Sequence, residues 1–132
     1  MSGEKNLDKL LSAMSPELME GEFIFCSFEK SHYGDHSELS PIVAVAESEG
    51  LTLVIPRSKA DEYNIKYDSV FRGITLKVHS SLDAVGLTAA FSNKLTEHGI
   101  SANVIAGYLH DHIFVQAELA DKAITAINEL TH

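Results

Sequence analysis

The chain has 132 residues, 45% hydrophobic and 22% charged, with a formal net charge of −9. That length holds one domain or two small fused units, and half of it alone would bury only a thin core, so two halves are expected to share one. The acidic balance without a Lys/Arg cluster repels phosphate backbones and anionic lipid surfaces, which argues against nucleic-acid and membrane partners. The single cysteine, Cys26, precludes an internal disulfide, and its place in the apolar run 23–28 reads as an inert buried thiol. The start lacks an apolar signal core, and no apolar run approaches the roughly 20 residues of a membrane span. The expectation is a soluble, cytoplasmic protein.

Taken in order, Leu7, Leu10, Leu11 and Met14 recur at helical spacing and predict a short amphipathic helix. Ser15-Pro16 ends it or caps one further turn. Glu22–Phe28 reads as a strand apolar on both faces, hence buried on both. The polar stretch Glu29–Ser40, with Gly34, His32 and His36, reads as a mobile loop with solvated histidines. Ile42–Ala46 and Leu51–Ile55 form a predicted hairpin around Glu47-Ser48-Glu49-Gly50, and Arg57–Tyr63 gives about two turns of helix after Pro56.

The second half repeats this logic with a shift of about 62 residues, a match of pattern more than identity. A strand over Phe71–His79 leads through Ser80–Asp83 into a helix over Ala84–His98 that Gly99 stops. Strands over Ile100–Leu109 and His112–Glu118 follow, then a helix over Ala120–Leu130. Ala84, Leu87, Thr88, Phe91 and Leu95 make one helix stripe, and Ala120, Ala123, Ile124, Ile127 and Leu130 the other. Ile74, Leu76 and Val78 alternate with Thr75, Lys77 and His79, so the strand is half-buried. This β-α-β-β-α order is most of a ferredoxin-like α+β sandwich. The expected domains are residues 1–67 and 68–132. In that order the ends of the first two strands, the start of the third and the start of the first helix share one edge. The helix's free N–H groups and positive dipole end would stabilise a carboxylate there. Gly86 and Gly107 let a ligand or another backbone approach.

The segments Asp83-Ala84-Val85-Gly86-Leu87 and Leu95-Thr96-Glu97-His98-Gly99-Ile100-Ser101-Ala102-Asn103-Val104 resemble the ACT domain family. Tyr108–Val115 is similar to the ACT subgroup of arginine-sensing and aspartate-kinase-like proteins, and the first half resembles the companion domain of small bacterial proteins built as such a pair. The resemblance implies an α+β ACT sandwich in two halves, with helices on one face of an antiparallel sheet. It implies a non-catalytic regulatory module that binds a small molecule, an amino acid above all, with no cofactor expected, while the open sheet edge of each half predicts a homo-oligomer, most simply a twofold dimer. It carries ligand contact onto Asp83, Ala84, Val85 and Gly86, with Asn103 reaching from the second strand, and the site is expected where Ser81, Leu82 and these residues up to Gly86 meet Asn103 and Gly107. Two departures stand out: no catalytic domain is attached, and the chain ends at His132 before a fourth ACT strand, whose place falls to Glu22–Phe28 or to a second subunit.

Plainer readings stand beside these. Asp83 is equally a helix cap or first-turn acid, and Gly86 a packing glycine. Asn103 is equally a residue that satisfies strand backbone. His110-Asp111-His112 with His79 offers metal or acid–base groups, but a hairpin turn holds such residues without a metal, and no zinc spacing is present. Two further functions follow: an ACT-like assembly protein without ligand, and a small His/Asp metal-dependent enzyme.

Overall fold

The structure is a computed structural model that describes residues 6–77 and 86–131. Its elements are α1 (Leu7–Ala13), β1 (Pro16–Leu18), β2 (Phe23–Phe28), β3 (Val43–Glu47), β4 (Gly50–Pro56), α2 (Arg57–Glu62), β5 (Phe71–Leu76), α3 (Leu87–Glu97), β6 (Asn103–Ala106), β7 (Asp111–Gln116) and α4 (Ala120–Asn128). Single 3-10 turns occur at Ser37–Leu39, Ala117–Leu119 and Glu129–Thr131. The class is the expected α+β sandwich with antiparallel strand pairs. Two compact units form: an inner one, Gly21–Phe71, and an outer one from the flanking parts, Met1–Glu20 and Arg72–His132.

In the outer unit the strands run β1-β5-β7-β6. Most of the two helix stripes read from the sequence enters its core: Leu87, Phe91 and Leu95 from α3 and Ala120, Ala123 and Ile127 from α4 meet Ile74, Leu76, Ile113 and Val115. They are joined by Ala126, which the stripe did not include; Ile124 and Leu130 are only partly buried and Thr88 is exposed. Leu10 and Met14 join the same cluster, with Leu7 and Leu11 partly buried against it. Asn6 caps α1 by accepting from the Lys9 amide at 3.1 Å. Along β5 the fourth strand is supplied by β1, a segment the sequence reading did not assign to it, while β2 pairs with β5 only at Phe23 and Phe71. Pro16, Glu17 and Leu18 pair antiparallel with Leu76, Thr75 and Ile74. Ser15-Pro16 therefore turns the chain into a strand instead of adding helix. Proline is tolerated there because it opens an outermost strand and its missing N–H breaks no interior ladder.

In the inner unit β4 lies between β3 and β2. Ile24, Leu51, Leu53, Ile55 and Ala60 form its own cluster, with Cys26 and Phe28 packed against it. Each unit thus buries a separate apolar cluster, where one shared core was expected. Phe25 and Phe71 meet edge to face with ring centroids 5.1 Å apart. The hairpins echo each other, but β3–β4 closes from Glu47 to Gly50 and β6–β7 from Ala106 to Asp111. The unequal turns mean that no single offset superposes the two halves.

The loop between β2 and β3 is built, not merely solvated. Leu39 is 2% exposed and plugs the inner cluster. His36 stacks on Phe28 at 3.9 Å between centroids and 20° between planes, and its Nε2 lies 3.0 Å from Ser31 Oγ. The Asp35 carboxylate accepts from the His32 amide at 2.8 Å. No described helix is long and apolar enough to cross a membrane.

Candidate ligand-binding site

Of the predicted site, Ser81, Leu82, Asp83, Ala84 and Val85 lie outside the described residues, as does His79. Gly86, Asn103 and Gly107 are described. Among the described residues no hydrogen bond joins these three to one another.

Gly86 is the N-cap of α3, with φ at +94°. That left-handed conformation is cheap only for glycine, and it ends any continuous helix from the N-terminal side. The helix expected from Ala84 therefore begins at Leu87. Asp83, read from the sequence as a helix cap or first-turn acid, lies outside the described residues. A Cβ at Gly86 would also press on Leu7 Cδ2 at 3.3 Å. Gly86 offers the helix start no capping side chain, and the first turn of α3 contains no acid. Its positive dipole end is uncompensated by those routes.

Asn103 opens β6 opposite Phe114. Its Nδ2 donates to the Phe114 carbonyl at 3.0 Å, so the amide nitrogen satisfies strand backbone. Its Oδ1 accepts no hydrogen bond among the described residues. Gly107 follows β6 and donates its N–H to the His110 carbonyl at 3.0 Å. A Cβ there would meet that carbonyl oxygen at 2.7 Å, so the tight turn itself requires glycine.

The turn carries His110, Asp111 and His112. Burial raises the Asp111 pKa above its ordinary value, against the pull of His112 and His110. Burial lowers the His112 pKa, His110 adds to this, and Asp111 opposes it. His112 Nδ1 lies 3.0 Å from Thr75 Oγ1 on β5. Among the described residues no group of three or more His, Cys, Asp or Glu could hold a metal ion. Cys26 donates to the Leu53 carbonyl at 3.8 Å, and burial raises its pKa, which keeps the thiol protonated and unreactive.

The sequence reading missed a second feature. A hollow of about 250 Å³ opens in the inner unit between the loop residues Tyr33, Asp35 and Ser37 and the strand residues Val43, Ala44 and Leu53. The signal available was the loop's mix of Tyr, Gly, Asp and Ser between two strands, which composition alone does not separate from an ordinary turn.

With this geometry in place, comparison with known families is decisive. An ACT domain model matches residues 2–72, and a second ACT domain model matches residues 69–129. The chain belongs to the ACT domain family. ACT domains are regulatory modules that commonly bind small-molecule ligands and oligomerise. This ACT protein is 52% identical to a Vibrio cholerae protein of unknown function described as a possible transport protein. That match covers 97% of this chain and 98% of the other, with a TM-score of 0.87. An Agrobacterium tumefaciens protein shares the fold at 12% identity and a TM-score of 0.74, over 90% of each chain. The regulatory subunit of aspartate kinase from Thermus thermophilus shares it at 8% identity and a TM-score of 0.64, over 92% of this chain and 99% of that one. No curated protein matches the chain.

Proposed function

We infer that this ACT protein is a non-catalytic module that binds a small zwitterion of the amino-acid class and acts in trans on a separate enzyme or regulator. It works in the cytoplasm, most simply as a twofold dimer, without nucleic acid, membrane or cofactor. The observation that carries the reading is the start of α3, headed by Gly86 at φ +94° without a capping side chain and followed by a first turn without an acid. Such a helix start favours a carboxylate. Asp83 is assigned the ligand's ammonium group, together with Asn103 Oδ1.

The test is a thermal-shift screen of the amino acids, followed by calorimetric titration of the best hit into wild type and Asp83→Ala. Binding to the native state raises the midpoint by mass action. The expected result is a hit whose affinity Asp83→Ala abolishes at unchanged stability, since Gly86 and not Asp83 is the cap. Unchanged affinity would overturn the site. Gly86→Val is a poor probe, because the left-handed φ strains any side chain before it blocks a ligand.

A second reading has one observation in its favour. Tyr108 and Leu109, at the tip of the β6–β7 turn, are 66% and 58% exposed. An assembly protein without ligand would use such a tip. An amino-acid screen without hits, beside concentration-dependent association that Tyr108→Ser abolishes, would favour it. Hits with divalent metals alone would favour the His110-Asp111-His112 turn as a metal-dependent site.

A further inference from the structure

The hollow of the inner unit has a chemistry of its own. Its floor and walls are apolar: Pro41, Ile42, Val43, Ala44 and Leu53. Its polar rim consists of Tyr33, Asp35 and Ser37, and the single charged side chain on the lining is Asp35. The Asp35 Oδ2 accepts the His32 amide at 2.8 Å, which fixes the carboxylate, while Oδ1 and the Ser37 hydroxyl take no partner among the described residues. The nearby imidazole of His36 is engaged elsewhere, stacked on Phe28 and bonded to Ser31. The rim therefore presents acceptors and a negative charge, with no cation to receive a ligand's carboxylate.

The hollow also has a reason to exist. Between β5 and β6 the chain supplies the helix α3, whereas between β2 and β3 the inner unit supplies a loop with one 3-10 turn. Only Leu39 of that 3-10 turn enters the core. A loop covers less of a sheet than a helix of three turns, so part of the strand surface stays open. The loop is pinned on both sides, by Leu39 in the core and by His36 on Phe28, so the opening is preformed.

We propose that this hollow is a second binding site, specific for a small apolar primary amine: the hydrocarbon lies on Ile42, Ala44 and Leu53, and the ammonium donates to Asp35 Oδ1 and Ser37 Oγ. A divalent metal does not fit, because one carboxylate and two hydroxyls fall short of the six or more oxygens a hard cation takes. A free amino acid fits worse than the amine, since its carboxylate meets Asp35 without a compensating cation. The site is independent of the amino-acid reading of the outer unit.

The test uses the full chain, ¹⁵N-labelled, at pH 7, with 3-methylbutylamine as probe and 3-methylbutanol and 3-methylbutanoate as isosteres without the positive charge. The expected result is amide shifts over residues 33–44 and Leu53 with the amine, and affinities at least tenfold weaker for both isosteres. Asp35→Asn, which keeps an oxygen for the His32 amide, should weaken the amine at least tenfold without altering the spectrum elsewhere. Absence of shifts in this segment at 50-fold excess amine, or equal binding of the alcohol, overturns the proposal. So does an Asp35→Asn variant that is folded and binds as wild type. If that variant is unfolded, the amine-against-alcohol comparison on wild type decides by itself.

Discussion

Asn103 donates its side-chain amide to the main-chain carbonyl of Phe114 at 3.0 Å, across the strand pair that closes the outer sheet. The residue assigned to a ligand is thus also a residue that holds β6 in register. The two roles use different atoms, Nδ2 for the sheet and Oδ1 for the proposed ligand. Asn103→Ala should cost about 1 kcal/mol, the net worth of an ordinary hydrogen bond, and weaken ligand binding as well. Asn103→Asp loses the donor but keeps an acceptor, so it should lose the stability while retaining affinity. Urea unfolding beside calorimetry separates the two, and equal effects of both variants on binding would remove Asn103 from the site.

Leu10 is 1% exposed and packs in the cluster of α3 and α4, although it lies far from them in sequence. Leu10→Ala should cost roughly 2–5 kcal/mol, the loss from a large-to-small core change. Hydrogen exchange should report that loss in β5, β7 and α4 while β2–β4 keep their protection. Loss confined to β2–β4 would contradict the assignment of the N-terminal segment to the outer unit.

His112 provides a pH test. Its folded pKa is lowered, chiefly by burial, so the folded chain binds this proton less readily than the unfolded chain. Its contribution to stability is therefore present above the ordinary value of about 6.5 and is lost as pH falls from there toward the folded pKa. Asp111 has the opposite shift, and its cost sets in as pH rises above 3.8 through the folded pKa. NMR titration should place the His112 midpoint below 6.5. Urea unfolding from pH 8 to pH 5 should show a decline that is smaller in His112→Phe. A midpoint above 6.5 would mean that Asp111 outweighs burial.

The parts of this fold that were legible are those whose pattern repeats. Leu87, Phe91 and Leu95 on one helix, and Ala123 and Ile127 on the other, declare their buried faces by spacing alone, and all are buried. Strand β1 was not legible, because three residues are too few to alternate and what makes Pro16–Leu18 a strand is its pairing with β5. The start of α3 was misread by three residues, since propensity favours helix through Ala84 and Val85, and only the backbone reveals that Gly86 is left-handed. Asn103 and Gly107 were found as residues that matter, but sequence could not apportion them between turn, sheet and ligand. The hollow beside Asp35 was invisible, because it arises from a helix that the inner unit lacks. Nothing in the order of polar residues records the space left behind.

That hollow depends on Leu39, the apolar anchor of the loop's 3-10 turn and 2% exposed. Its neighbours in the chain hold unusual backbone, with His36 at φ +65° and Ser40 at φ +53°. Left-handed residues of this kind persist only where surrounding contacts fix them. Here the contacts are the Leu39 side chain in the core and the stack of His36 on Phe28. Leu39→Ala should therefore do two things. It should cost roughly 2–5 kcal/mol, seen in urea unfolding. It should also raise amide exchange across residues 33–41 beyond the general loss of stability, because the loop is released before β2–β4 open. Asp35→Asn should leave both measurements near wild type, since its amide oxygen still accepts the His32 N–H. If Leu39→Ala lowers stability while loop exchange rises no faster than that of the strands, the loop is held by its local hydrogen bonds, and the anchoring role given to Leu39 fails.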